Sequence, residues 1–328
     1  MLPLVFNAEP DLYSAQAEQI IRCFARYQPL QRQDIWPDCL HEADILITRL
    51  GFDIDRSVLA SAANLKAIVT STTGLNHIDL EYAVDRKIAV LSLKGETEFL
   101  RTVTATAEHT WALLLALVRN LKAADQQIKS YVWDRQSLIG HELQGQMIGI
   151  VGFGRLGQRV ATYAHAFGMQ VMAYDRAEFF APDYVQKTDL NDLIAHSDVI
   201  TLHISGEPEN SKFWDERKIA QMKSSALLIN TSRGHVIDEY ALLEALQKNA
   251  LAGAALDVLA DESGEGSSWM RQAPLVDYAN QHDNLILTPH IGGATFESLE
   301  KTEIFMAKKL KTWWQDQHQA APKTLKHT

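Results

Sequence analysis

Cysteine is scarce in this 328-residue chain: Cys23 and Cys39 are the only two, and no Cys/His cluster accompanies them. That excludes a disulfide framework and a structural zinc site, and it fits a reducing compartment, the cytoplasm by default. Positive charge is also short. The 31 Lys and Arg against 41 Asp and Glu leave a formal net charge of −10. A nucleic-acid or anionic-membrane surface needs clustered basic residues, so neither partner is expected; one basic pocket for a small anion stays compatible. Long apolar runs are missing too. The longest block, from Trp111 to Val118, falls far short of the ~20 residues that span a bilayer. The opening residues, Met1 to Pro10, lack the basic start and apolar stretch of a secretion signal, so none is expected. Repeats, low-complexity tracts and metal-ligand spacings are absent as well, and no metal is expected.

What is present is an alternation of short β-branched runs with helical stretches, the pattern of parallel sheets covered by helices. In the first hundred residues the strand candidates are 4–6, 45–48, 67–69 and 89–91, with helices over 15–27 and 79–85. A strongly apolar helix follows over 104–120. Six further strand candidates come next, at 147–151, 171–174, 199–202, 226–230, 253–257 and 285–287. Six is the count of a complete dinucleotide-binding sheet. A last helix from about Thr295 carries Leu299, Met306, Leu310 and Trp313 on one face. It has no strand of its own, so it is expected to return to the first domain. The domains are then 1–102 with 294–328, and 103–293.

The sharpest local signal lies at Gly152, Gly154 and Gly157, a G-x-G-x-x-G between an apolar strand and a helix. In such a loop the first glycine makes the tight turn and the second lets backbone approach a pyrophosphate. The third lets helix and strand pack closely, and the helix N-terminus faces the phosphates. Asp175 ends the next strand, 18 residues after Gly157. A carboxylate there accepts the ribose hydroxyls and repels a 2′-phosphate, which points to NAD. Arg176 beside it keeps NADP as the alternative.

Three more segments stand where strands of the second sheet should end, the edge at which ligands bind in such sheets. One presents Arg233 between Asn230 and Gly234, a planar fork suited to a carboxylate. Another holds Asp257, Asp261 and Glu262. The third is Thr288-Pro289-His290 followed by Gly292 and Gly293. Each alone has an ordinary reading, a surface arginine or a structural histidine among them.

Together the motifs resemble the D-isomer-specific 2-hydroxyacid dehydrogenase family. The set comprises Gly145 to Gly157, Asn230 to Gly234, Leu256-Asp257-Val258 with Glu262, and Thr288 to Gly293. Upstream support comes from Thr73 to Asp79, Ala105 to Thr110, and Trp133 to Arg135. The resemblance covers nearly the whole chain from about residue 45. It implies an α/β protein with a Rossmann-type doubly wound parallel sheet domain and a smaller flavodoxin-like α/β substrate domain. It also implies that Arg233 binds the substrate carboxylate and carbonyl oxygen, that His290 is the acid/base, and that Glu262 bonds its imidazole.

The cofactor NAD would be held by Gly152, Phe153, Gly154, Arg155, Leu156, Gly157 and Asp175, with Thr106, Thr231 and Asp257 nearby. The substrate carboxylate would rest on backbone N–H groups at Thr73 and Gly74. The chemistry agrees. Reducing a 2-oxo acid requires a proton donor working near neutrality, a cation for the developing oxyanion and a hydride from the cofactor. Arg49 sits where phosphoglycerate dehydrogenases carry a phosphate-binding arginine, so that enzyme is one alternative. A non-catalytic NAD(H)-sensing protein on the same fold is another. The family's common proline after the catalytic Glu is Ser263 here. Glu265 competes with Glu262, which is preferred because it falls five residues after Asp257. The polar stretch from Ser263 to Ala273 is expected to be a long loop that bears on substrate choice. Homodimerisation through the 104–120 helix and the segment through Trp133 is expected, as both are more apolar than one buried face requires.

Overall fold

The structure is a computed structural model that describes residues 2–31, 34, 36–262 and 268–319. The chain forms two compact units, one ending at Val103 and completed by the C-terminal helix, the other spanning Thr104–Thr295.

The first unit runs β1 (Leu4–Asn7), α1 (Ala15–Arg22), β2 (Arg26–Pro29), β3 (Ile45–Thr48), α2 (Arg56–Ser61), β4 (Ala67–Thr70), α3 (Leu80–Asp85), β5 (Ala89–Leu91) and α4 (Thr97–Leu100). Its sheet is wholly parallel in the order β2-β1-β3-β4-β5, the flavodoxin-like order. Both faces are covered, so its central strands are buried at every position, with Asn7, Thr48 and Thr70 the polar residues at their carboxyl ends. Val5, Ile45, Ile47 and Val69 face a cluster that includes Ile21 of α1 and Met306, Ala307 and Leu310 of the C-terminal helix Phe296–Gln319. Phe6, Leu46 and Ile68 point the other way, onto Val58 and Leu59 of α2 and Ala83 of α3. Helix starts are fixed by side chains: Ser14, Asp55 and Asp79 each accept an N–H of the first turn, worth about 1 kcal/mol apiece. The expected 15–27 helix is shorter than its apolar pattern suggests. It stops at Arg22, and Arg26–Pro29 becomes an edge strand beside β1.

The second unit runs α5 (Ala105–Val118), α6 (Leu121–Lys129), β6 (Met147–Val151), α7 (Arg155–Ala166), β7 (Gln170–Tyr174), β8 (Val185–Lys187), α8 (Leu190–His196), β9 (Val199–Leu202), α9 (Glu216–Gln221), β10 (Leu227–Asn230), α10 (Glu239–Gln247), β11 (Gly253–Leu256), α11 (Pro274–Gln281) and β12 (Leu285–Leu287). Seven strands form one parallel sheet, β12-β11-β10-β9-β6-β7-β8, one more than the sequence pattern indicates because of the short edge strand β8. The order reverses direction at β6, which lies between β7 and β9. This is the doubly wound arrangement, with its ligand crevice at the carboxyl ends of β6 and β9. The two faces of the sheet carry separate cores, one around Trp214, Leu228 and Leu256, the other around Ile150, Ile229 and the apolar face of α5.

The hydrophobicity of α5 is consumed inside its own unit. Trp111, Leu113, Leu114, Leu117 and Val118 are all buried there, so this helix does not offer the spare face expected for dimerisation.

Candidate active site

The glycine loop follows β6. Gly152 has a φ of +93°, and a Cβ there would stand 2.7 Å from the backbone of His203, so a side chain is barred twice over. At Gly157 a Cβ would come within 2.1 Å of the Gly152 carbonyl oxygen, which is the close helix–strand approach the motif requires. Gly154 differs: it is exposed, and a Cβ would meet nothing within 4 Å. It is also the N-cap of α7, and supplies no side-chain cap to the first-turn N–H groups. An open glycine at an uncapped helix start, beside a sheet reversal, fits a dinucleotide pyrophosphate.

Asp175 Oδ2 accepts the Phe153 N–H at 2.7 Å and Oδ1 accepts Ala177 N–H at 2.9 Å. The carboxylate is thereby aimed from β7 over the loop, and the Phe153 N–H is already used. The Phe153 side chain is buried, 4.6 Å between ring centroids from Phe179. Burial, then Arg159 nearby, push the Arg155 guanidinium below its ordinary value. His203 follows β9 and belongs to no motif that would single it out. Its Nε2 bonds Thr201 Oγ1 at 2.9 Å, while Nδ1 is buried without a partner among the described residues. Burial lowers this imidazole to about 4. An unpartnered acceptor or donor at the sheet reversal is a second feature that suits a polar ligand there.

Arg233, Asp257 and His290 follow β10, β11 and β12, three neighbouring strands of one sheet edge. The Arg233 turn is tied by Asn230, whose fully buried amide donates to the Arg233 carbonyl at 2.9 Å. The same amide's oxygen accepts Ser232 N–H and Oγ–H at 2.9 and 2.6 Å. A Cβ on Gly234 would lie 1.9 Å from the Leu259 carbonyl carbon, so only glycine lets this turn press against the one that carries Glu262. Burial lowers the Arg233 guanidinium from its ordinary value, and the Glu262 charge opposes that shift. Its Nη1 donates to the Ser232 carbonyl at 2.6 Å. Thr231 Oγ1 pairs with Thr110 Oγ1 at 2.9 Å, and Thr110 in turn donates to the Thr106 carbonyl.

Glu262 Oε1 lies 2.7 Å from His290 Nδ1, both side chains a little under one-third exposed. A carboxylate on Nδ1 selects the tautomer with the proton there and leaves Nε2 for a ligand. His290 has a φ of +53°, a left-handed backbone uncommon outside glycine and of the kind stored at functional sites. Asp257 holds it: the Asp257 carbonyl accepts the His290 N–H at 2.8 Å. The Asp257 carboxylate, 1% exposed, accepts Thr288 Oγ1 at 2.6 Å and the Ile291 and Gly292 N–H groups at 2.9 and 2.8 Å, with His109 Nε2 at 3.2 Å. These four partners occupy a carboxylate's acceptor positions. Asp257 therefore anchors the histidine loop rather than presenting a free carboxylate to the cofactor. His109 and Thr288 lie within motifs that stand out in the sequence, but their meeting with Asp257 does not, because it joins residues far apart in the chain.

In the first unit, Thr73 and Gly74 follow β4, and their N–H groups have no partner among the described residues. Arg49 is otherwise situated. Its guanidinium lies 3.8 Å from Glu9 and 3.5 Å from Glu303, and Nη2 donates to the carbonyls of Glu9 and Asp11. The arginine expected to await a phosphate donates from Nη2 to two carbonyls and already has two carboxylates within ion-pair distance. Ser263 and Glu265 lie outside the described residues. Among the described residues no three His, Cys, Asp or Glu side chains gather as a metal site.

The family described as D-isomer specific 2-hydroxyacid dehydrogenase, NAD binding domain, matches residues 111–292. A glyoxylate reductase of Thermococcus litoralis is 35% identical over 288 residues, covering 83% of this chain and 80% of that protein. A D-3-phosphoglycerate dehydrogenase of Methanocaldococcus jannaschii is 34% identical over 278 residues, covering 83% of this chain and 50% of that one. The chain thus spans about half the length of such relatives. Among solved structures, a D-lactate dehydrogenase from Aquifex aeolicus complexed with NAD and lactic acid has a TM-score of 0.80 at 28% identity, covering 96% of both chains.

Proposed function

The chain belongs to the D-isomer-specific 2-hydroxyacid dehydrogenase family, and we propose that it is an NAD(H)-dependent oxidoreductase acting on C2 of a small D-2-hydroxy acid or its 2-oxo acid. The observation that carries this reading is the 2.7 Å pair between His290 Nδ1 and Glu262 Oε1, in the unit that also holds Arg233 and the glycine loop.

The nicotinamide cofactor, when bound, supplies or takes the hydride at C2. Gly152, Phe153, Gly154, Arg155, Leu156, Gly157 and Asp175 are the residues assigned to hold it, with Thr106, Thr231 and His203 beside them. His290 Nε2 gives a proton to the C2 oxygen during reduction and removes it during oxidation. Glu262 keeps the ring in the required tautomer and orientation. The half-buried Arg233 guanidinium offsets negative charge on the C2 oxygen and binds the carboxylate. The unpartnered N–H groups of Thr73 and Gly74 are assigned to the substrate carboxylate. Asp257 positions His290 and touches no reacting atom.

The phosphoglycerate alternative rests on Arg49, and the Glu9 and Glu303 carboxylates beside that guanidinium favour an unphosphorylated acid instead. A panel of 2-oxo acids scored by NADH consumption tests the reading. Turnover of glyoxylate, hydroxypyruvate or pyruvate supports it. Tight NADH binding with no turnover of any 2-oxo acid would favour a sensor.

Homodimerisation is part of the proposal, with the contact moved off α5. Leu121, Ile128, Tyr131, Val132, Trp133 and Ile139 are all exposed on α6 and the segment after it, a surface too apolar to be left in water. Trp133→Glu should convert a dimer to monomers in light scattering, and a monomeric wild type would sink the idea. A cytoplasmic location is also proposed: Cys23 and Cys39 are free, and no described helix is long and apolar enough to cross a membrane.

A further inference from the structure

The carboxyl edge of the first sheet contains an anion site that the protein fills with its own side chain. Glu9 lies just beyond β1 and reaches over the neighbouring strand β3. Its Oε2 accepts Thr48 Oγ1 at 3.0 Å and the Arg49 N–H, while Oε1 accepts the Gly51 N–H at 3.0 Å. A Cβ on Gly51 would stand 2.8 Å from Oε1, so the carboxylate is seated tightly. Two converging N–H groups, a hydroxyl and a guanidinium are the donors that a phosphate or carboxylate takes from a protein. The two N–H groups and the hydroxyl are all in use, and the guanidinium has the same carboxylate at ion-pair distance, 3.8 Å. Glu303, fully buried, brings a second carboxylate to the same guanidinium, and its Oε2 is held by the Ser14 N–H at 2.6 Å.

The site also stands in the right row. Strands β3 and β4 are neighbours with Thr48 opposite Thr70, so the Arg49 loop leaves the sheet beside the loop of Thr73 and Gly74. An acid held there by its carboxylate would direct its distal end along this edge.

We propose that Glu9 is a specificity-determining residue, an internal anion that occupies the Thr48–Gly51 donor site and turns away 2-oxo acids bearing a distal phosphate. The inference rests on the reading of the chain as a 2-oxo acid reductase. A phosphate entering here would meet two carboxylates and one guanidinium, and would have to displace Glu9 to gain any donor. Without that carboxylate the same donors are free to bind it.

The experiment compares wild type, Glu9→Ala and Glu9→Ser in two assays. The first is thermal stabilisation by inorganic phosphate, which needs no turnover and so is scored independently of the proposed activity. The second is the ratio of kcat/KM for phosphohydroxypyruvate to that for hydroxypyruvate. Wild type should gain nothing from phosphate, whereas both variants should gain affinity and raise the ratio about tenfold or more, the scale of one or two hydrogen bonds to a charged group. Adding Arg49→Gln to Glu9→Ala should abolish the gain. If Glu9→Ala does not fold, Glu9→Ser, whose short polar side chain also clears the donors, decides the matter. The proposal is overturned if wild type is stabilised by phosphate as strongly as the variants, if folded variants gain nothing, or if wild type already prefers the phosphorylated acid.

Discussion

Replacing Asp257 by asparagine keeps the side chain's size and removes its charge, and the structure sets the cost. Oδ2 serves only the Gly292 N–H, whereas Oδ1 serves Thr288 Oγ1 and the Ile291 N–H and faces His109. The better pose for asparagine turns its NH2 toward Gly292. One bond to a charged acceptor is then replaced by two opposed donors, and the others weaken to neutral strength. With about 1.5–3 kcal/mol for a bond to a charged group and about 0.5–1.5 for a neutral one, losing the Gly292 bond and weakening two others costs roughly 3.5–6 kcal/mol. In a unit of this size that corresponds to a melting temperature lower by about 10–20 °C. Because His290 hangs from the Asp257 carbonyl in a left-handed backbone, turnover should also fall by about 100-fold.

The pH dependence has a definite sign. Burial raises the Asp257 carboxyl, but the bonds from His109, Thr288, Gly292 and Ile291 more than offset it and hold the group below its ordinary range. A depressed acid stabilises the fold above its unfolded value, about 4, and that contribution is lost as pH falls through the folded value. The gap in melting temperature between wild type and Asp257→Asn should therefore close in acid. Calorimetry from pH 7 down to the acid limit reads both effects. A variant melting within about 2 °C of wild type at pH 7 would refute the anchoring role.

Arg233→Ala should raise KM for the oxo acid and lower kcat together, by about 100-fold or more in kcat/KM, since the guanidinium holds ground state and transition state alike; a change in KM alone would remove it from the chemistry. NADH should bind more tightly than NADPH, and Asp175→Ser should narrow that preference in fluorescence titrations, whereas a wild type favouring NADPH would make Arg176 the ribose reader. His203 is held at about 4 by burial, so charging it opposes folding: stability is intact above 6.5 and declines as pH falls toward 4. His203→Gln should flatten that part of the stability profile, and an unchanged slope would mean another group titrates there.

How much of this was legible in the chain follows from where the information sits. The glycine loop, the Arg233 turn and the His290 turn each announce themselves within a few residues, since each is a strand end with local turn chemistry. The central strands are mostly apolar and stand out for that reason. The edge strands do not. Of Arg26–Pro29 only Tyr27 is buried, and Val185–Lys187 buries only Val185, so neither carries a strand period. Long-range partnerships were invisible: nothing near Asp257 names His109, and nothing near Arg49 names Glu9 or Glu303. The apolar excess of α5 was real, but composition cannot say whether a helix buries its second face in its own unit or in a partner. The same limit hides why Gly234 must be glycine, because the backbone it meets belongs to Leu259.

The central claim is that His290, held by Glu262, moves the proton at C2. The most direct measurement is steady-state reduction of the best 2-oxo acid by wild type and His290→Ala, with NADH affinity measured on both. The expected result is a kcat lowered by about 100- to 10,000-fold, the scale of lost acid/base catalysis, with NADH affinity essentially retained because the glycine loop and Asp175 are untouched. Turnover that survives in His290→Ala at the wild-type rate would contradict the account and put the acid elsewhere.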